Sequence, residues 1–368
     1  MLKPIFTLDY EIHGNGDGCP YALMVEPTDR LLRLFEGFGA KLTIMADVAE
    51  ILRFKEYAND VGRDDFYSEM IEQQLQDAIR RGHDVQLHIH SSYFRARREN
   101  GRWIQDWTEY DFARLPIDRM DWMVRRGKQY LESLLRPIDP GYRCAVFRAA
   151  NWSVSPSANV VNTLLKNGIR IDTSVFKYGR RDGRVKFDYS SAVSALVPWR
   201  VRADDICAED YDGLLWEFPI YAEHRGIAAF VTPNRLYRTL VGRFHRLSDG
   251  SGYAAASGTA GGAAGLPRGL RSVLNPHPWK ADFNQCTGRQ LISAIGRAEA
   301  QFARSDTTLP FVLIGHSKLF SRFNEWSLRP FLAHIRRHPG RFQFGKFTDF
   351  AMLEAPASAS QLQTIDAS

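Results

Sequence analysis

Short apolar runs alternate with stretches of helical period along most of this chain. Pro4–Asp9, Leu42–Met45, Asp84–His90, Arg143–Arg148, Ile169–Asp172, Leu214–Pro219, Phe311–His316 and Phe342–Phe344 read as strands, each too short and too compactly apolar for a helix. Between them the period lengthens. Arg30–Phe38 follows Thr28, and Glu69–Arg81 stops at Gly82 with Ile71, Leu75, Ala78 and Ile79 on one face. Asp118–Leu135 is closed by Pro137, Ser157 can cap a helix reaching Gly168, Thr287 one reaching about Ala303, and Ser327–His338 ends before Pro339-Gly340. Strands alternating with helices are the mark of βαβ units and a mostly parallel sheet, and eight candidate strands suggest a barrel or a wide open sheet. No fixed-period repeat and no interdomain linker interrupts the alternation. The expectation is therefore one α/β domain over residues 1–354, with Ser248–Gly269 as a mobile Gly/Ala/Ser-rich insertion and 355–368 as a disordered tail.

The polar residues are placed unevenly. In nearly every candidate strand the polar interruption comes at the C-terminal end: Asp9, His88 with His90, Arg148, Asp172, Glu217 and His316. In (β/α) barrels the C-terminal ends of the strands form one face, so this placement predicts one site drawn from distant parts of the chain. Val85, Leu87 and Ile89 alternate with Gln86, His88 and His90, so a strand sends both imidazoles to the same side, close enough to share a metal ion. Asp9 and Glu11 likewise share a side. Two histidines and one carboxylate leave coordination positions open, as catalytic metal sites do. His316, at the end of an apolar strand, suits a general acid; Arg148 can hold a carboxylate; Trp152 can wall a sugar ring; Asp172 can cap the next helix or pair with His316. Against these stand plainer readings: polar strand residues, a solvated acidic turn at Asp9–Glu11, a structural ion pair at Arg148 and a core aromatic at Trp152.

Composition narrows the field. A chain of 368 residues with 44% apolar and 24% charged residues buries a real core, and is neither disordered nor fibrous. The 48 basic and 42 acidic residues leave a net charge of +6, spread along the chain, and the Arg125-Arg126 and Arg336-Arg337 pairs fall in expected helices, so no nucleic-acid partner is expected. Cys19, Cys144, Cys207 and Cys286 are isolated, no export signal is evident, and no apolar stretch approaches the roughly 20 residues of a membrane span. Reduced thiols in a cytoplasmic protein without a membrane span are expected. His13, His224 and His277 fall in expected loops.

The polar residues resemble, in order, the motifs of the polysaccharide deacetylase family, the carbohydrate esterases that include chitin and peptidoglycan deacetylases. Thr7-Leu-Asp9-Tyr-Glu11 is similar to the first motif, Gly82-His-Asp-Val-Gln-Leu-His88-Ile-His90 to the second, Phe147-Arg148-Ala to the third, Ile171-Asp172-Thr-Ser to the fourth and Leu313-Ile-Gly-His316 to the fifth. Three positions depart from the family pattern: Tyr10 follows Asp9 where a second aspartate is usual, Ser92 stands four beyond His88 where a histidine is usual, and Val175-Phe176 replaces a tryptophan. The resemblance implies a distorted (β/α) barrel, often of seven strands. It implies Asp9 as base, Glu11, His88 and His90 as ligands of a divalent metal (zinc first, cobalt or nickel as alternatives), Arg148 steadying Asp9, and His316 as acid tuned by Asp172. With Asn151 and Trp152 against the substrate, the activity implied is metal-dependent removal of an N-acetyl group from an amino sugar or glycan. Two other readings stay open: a non-catalytic carbohydrate-binding or scaffolding descendant of such enzymes, and a metal hydrolase of another barrel type.

Overall fold

A computed structural model describes residues 1–12, 18–237, 277–302 and 307–350. The expected insertion at 248–269, the tail at 355–368 and His13 lie outside the described residues. In chain order the elements are β1 (Leu2–Tyr10), α1 (Glu26–Glu36), β2 (Leu42–Asp47), α2 (Val48–Val61), α3 (Ser68–Arg80) and β3 (Asp84–Ile89). After them come a small hairpin of β4 (Arg97–Glu99) and β5 (Arg102–Ile104), then α4 (Ile117–Leu135), β6 (Val146–Ala149), α5 (Ala158–Lys166) and β7 (Ile171–Asp172). Next are β8 (Arg180–Arg181), β9 (Phe187–Asp188), β10 (Trp199–Arg202), β11 (Asp205–Glu209), β12 (Trp216–Glu217) and β13 (Ala222–Arg225). The last are β14 (His277–Lys280), α6 (Gly288–Phe302), β15 (Leu309–His316) and α7 (Arg322–Arg337).

Nine strands form one sheet in the order β11-β10-β12-β7-β6-β3-β2-β1-β15. Every pairing from β12 to β15 is parallel, and β10 and β11 add antiparallel at the far edge. Parallel strands are covered on both faces, so β2 and β3 are buried at every position, including the polar Asp84, Gln86 and His88 of β3. Helices supply the cover: α1 buries Leu31, Leu32, Leu34 and Phe35, and Phe35 meets Phe6 of β1 with ring centroids 4.5 Å apart. Two isolated parallel bridges, Ile220↔Val312 and Asp282↔Ile314, bring the segments after β12 and β14 onto the outer edge of β15.

Several expectations need correcting. The strand expected at Phe342–Phe344 is a single bridge from Phe342 to Leu2, although Gln343 and Gly345 donate to the carbonyls of Leu2 and Pro4 at 3.1 Å. That segment borders the start of β1, which β2 reaches only from Phe6 onward. Helix α7 starts at Arg322, well before Ser327, because Ser321 and Asn324 cap each other's backbone reciprocally. Helix α2 was not expected at all; Asp47 caps it through Ala49 N, and Gly62, with φ of 72°, ends it. His224 and His277 lie on paired strands β13 and β14, not in loops.

Candidate metal and proton-transfer site

Strand register assembles the site. Asp9 lies opposite His316 on β15, Asp47 lies opposite His88, and His88 lies opposite Arg148. Glu11 follows β1 by one residue and His90 follows β3 by one, so both stand on the rim formed by the strand ends. Glu11, His88 and His90 are buried, and each offers a ligand atom within 4.8 Å of the others.

The protonation pattern suits metal ligation. His88 Nδ1 lies 2.9 Å from the Arg148 carbonyl oxygen, which can only accept, so Nδ1 always carries a proton and Nε2 is the nitrogen available to a metal ion. Nε2 faces Glu11 Oε2 at 3.2 Å and donates to it while the ring is charged; a cation bound there would displace that proton. The same demand for positive charge appears in the titration of His88: burial lowers its pKa, but Asp9, Glu11 and Asp47 outweigh burial and push it up to about 9. His90 Nδ1 lies 2.9 Å from Asp47 Oδ2 and 3.0 Å from Glu11 Oε2, and its backbone N–H donates to Asp47 Oδ1 at 3.1 Å. Lys318 Nζ donates to Glu11 Oε1 at 3.0 Å, leaving Oε2 as the oxygen turned toward both imidazoles. One carboxylate and two imidazoles fit a divalent cation, with Lys318 holding Glu11 through its other oxygen and the Arg148 carbonyl holding His88 through its other nitrogen.

Beside this cluster Asp9 and His316 stand next to each other, with Arg148 on the far side of Asp9. Arg148, completely buried, donates from Nη1 to Asp9 Oδ1 at 2.7 Å and to Thr7 Oγ1 at 2.8 Å, and from Nε to the Thr173 carbonyl at 3.0 Å. Burial works against the Asp9 carboxylate, but Arg148, His88 and His316 together hold its pKa below the usual carboxylate value, so Asp9 is ionised. Its second oxygen, Oδ2, is 3.5 Å from His316 Nε2. Burial lowers the pKa of His316 despite Asp9, Glu11 and Asp282, so the resting imidazole is neutral at pH 7.

Asp172 lies one strand further along and has different partners. It accepts from Ser174 N at 3.1 Å and Ser174 Oγ at 2.8 Å, and it shares a hydrogen bond with Glu217, its register partner on β12. Burial pushes Glu217 well above the carboxylate range, and Glu217 Oε2 finds no donor; a proton on Glu217 given to Asp172 satisfies both carboxyls. The carboxylates acting on His316 are Asp9, Glu11 and Asp282. Asn151 and Trp152 follow β6 with φ of 55° and 56°, a left-handed pair that non-glycine residues adopt at a cost. Asn151 Oδ1 accepts from Tyr110 Oη at 3.1 Å and Arg181 Nη1 at 3.0 Å. Trp152 is only 8% exposed, and one face of its ring lies under the Lys280 ammonium at 3.6 Å, so the ring is not an open wall for a sugar. The exposed ring nearby is Trp107, whose centroid lies 5.1 Å from that of Tyr110.

Sequence reasoning missed Asp47, Lys318 and the whole segment Lys280-Ala-Asp-Phe-Asn284. The segment runs along the end of β15: Ile314 N donates to the Ala281 carbonyl at 3.0 Å, Phe283 N to the Ile314 carbonyl at 2.9 Å, and Asn284 Oδ1 accepts His316 N at 2.6 Å. Only Asp47 had a readable signal, being an acidic residue at the end of an apolar run directly before a helical period.

No family model matches the chain, and no curated protein sequence matches it. Solved structures do. A protein from Mycobacterium smegmatis described as a polysaccharide deacetylase is similar over 96% of this chain and 89% of its own, at 14% identity and a TM-score of 0.47. Puue allantoinase is similar over 96% of this chain and 89% of its own, at 12% identity and a TM-score of 0.47. A GH57-type branching enzyme from Pyrococcus horikoshii is similar over 97% of this chain and 70% of its own, at 12% identity and a TM-score of 0.49. At identities this low, the chemistry is read from the side chains.

Proposed function

We propose that this protein is a metal-dependent hydrolase that removes an N-acetyl group from an amino sugar or glycan. The observation that carries this reading is the adjacency of two half-sites: a Glu11-His88-His90 donor cluster beside an ionised Asp9 whose two oxygens face Arg148 and His316. Glu11, His88 and His90 would hold the cation, zinc before cobalt or nickel, which when bound acidifies water and polarises a carbonyl. Asp9, kept ionised by Arg148, takes a proton from the attacking water. His316 is neutral at rest and must be charged within the turnover to protonate the departing amine; Asp9 Oδ2 is the neighbouring group that brings a proton to it. Arg148 and the Thr7 and Thr173 oxygens fix the aim of Asp9, and Asp172 with Glu217 braces the adjoining strand ends from below the site. The bridge from Ile220 to β15 is read as closure of seven parallel strands into a distorted (β/α)7 barrel, which draws the two half-sites onto one rim.

The test is acetate release from N-acetylated amino sugars by zinc-loaded protein, measured with an acetate-coupled assay. Wild type is expected to release acetate, and a chelator or Asp9→Asn to stop it. Metal-loaded protein that binds such sugars but frees no acetate supports the carbohydrate-binding alternative instead.

A further inference from the structure

Lys280 ends β14 opposite Ala222 of β13, and the chain then turns along β15 toward His316. Its ammonium lies 3.6 Å from the centroid of Trp152 and 4.4 Å from that of Phe176. Charged groups face it from several elements: Asp282 from its own segment, Asp9 from β1, Arg148 from β6, and Arg235 from the short segment before the undescribed residues. The other charges around it are matched by contact. Asp9 has Arg148, and Glu11 has Lys318. Asp282 accepts from Asn284 N, Gln285 N and Gln285 Nε2 at 2.9, 3.1 and 2.7 Å. Lys280 Nζ has no hydrogen-bond acceptor among the described residues. An ammonium carries three donors and no acceptor, and ring faces attract its charge without accepting its protons as an oxygen does. Lys280 itself is half-buried, and Asn151 Nδ2, on the strained turn next to Trp152, is a buried donor without an acceptor among the described residues. Of the two, the ammonium is the one that favours an anionic acceptor.

We propose that Lys280 is a specificity-determining residue of this site, reading an anionic group, carboxylate or phosphate, on the N-acetylated sugar. The identification of the ligand as a sugar rests on the deacetylase reading; the anion preference rests on Lys280 alone. Burial lowers the Lys280 pKa to about 8, so the cation persists at neutral pH while being thinly solvated, a state that strengthens its contact with an incoming anion.

The experiment compares binding of three probes to the full-length zinc-loaded protein by calorimetric titration: N-acetylglucosamine, N-acetylmuramic acid for the carboxylate, and N-acetylglucosamine 1-phosphate for the phosphate. Wild type is expected to bind at least one anionic probe about tenfold or more tightly than the neutral one, in line with a hydrogen bond to a charged group. Whichever anion shows the preference identifies its source. Lys280→Met should collapse the ratio to about threefold or less, and Lys280→Arg should preserve it. Circular dichroism of the variants separates loss of preference from loss of fold. Equal binding of neutral and anionic probes by wild type, a preference that survives in Lys280→Met, or no binding of any probe overturns the proposal. Acetate release, followed in parallel, reads the deacetylase claim separately: preference without acetate sinks that claim and leaves Lys280's role standing, and acetate without preference does the reverse.

Discussion

Asp9, proposed as the base, is also part of a buried ion pair with Arg148. Its carboxylate is buried, and removing one partner of a buried ion pair typically costs about 3–5 kcal/mol because the other charge is left stranded. Asp9→Asn keeps an acceptor for Arg148 Nη1 while deleting the charge, so its stability cost should fall at the lower end of that range, measured as a reduced urea midpoint. Acetate release should fall by about 10²–10⁴, the usual worth of a general base. Retention of full activity would remove Asp9 from the proton path. At this scale the sequence was informative about placement: Asp9, Glu11, His88, His90, Arg148 and His316 were singled out as polar residues at the ends of apolar runs, and the strand register brings them close together. It was less informative for partners. Asp172 was offered as a helix cap or a partner of His316, the latter also implied by the family resemblance, whereas parallel register puts Glu217 directly beside Asp172. Register across strands far apart in sequence is set by packing, which no local pattern displays.

Elements carry part of the site as well. Asp47 both caps α2 and accepts from the backbone and the ring of His90, so helix entry and ligand orientation depend on one carboxylate. Asp47→Ala is expected to lower zinc affinity about 10–100-fold, the typical effect of losing a group that orients a metal ligand, and to cost about 0.5–2 kcal/mol through the lost cap. Competition with a fluorescent chelator and thermal melts read the two effects; unchanged affinity would separate the helix from the metal site. Gly315 makes a comparable link. A Cβ there would come within 2.2 Å of the Phe283 ring, which lies between Asp282 and Asn284 on the segment that holds His316 N. Gly315→Ala should therefore displace that segment, cost about 1–3 kcal/mol through overpacking, and reduce acetate release more than it reduces zinc binding. A parallel loss of both would place the damage elsewhere. Neither link could be read from composition: the Lys280–Asn284 segment shows no strand period, and gains its role only through the isolated bridge from Asp282 to Ile314.

For the whole molecule, the alternation of short apolar-rich runs and helical periods was enough to anticipate a mostly parallel sheet, because strands linked by helices pair in parallel. It did not anticipate the antiparallel β10 and β11 or the hairpins, whose short, polar strands lack that signature. Stability against pH is governed by burial of the neighbours His83 and Asp84. Burial takes His83 down to about 4, so its contribution is lost as pH falls from about 6.5 to 4, where the unfolded chain binds the proton first. Burial raises Asp84 to about 6, so its contribution is lost as pH rises from about 4 to 6, where the folded chain holds the proton longer. Each is worth about 3 kcal/mol at roughly 1.4 kcal/mol per pKa unit, and the two oppose each other. Asp84→Asn should expose the histidine alone, making denaturant stability fall more steeply than in wild type between pH 6 and 4; an unchanged slope would contradict the pairing.

The central claim is the three-residue metal centre, and its most direct measurement is elemental analysis after loading with zinc and exhaustive dialysis. Wild type is predicted to retain about one equivalent, and His88→Ala and Glu11→Ala far less while remaining folded by circular dichroism. Wild type without bound metal, or variants that retain as much as wild type, would contradict the account.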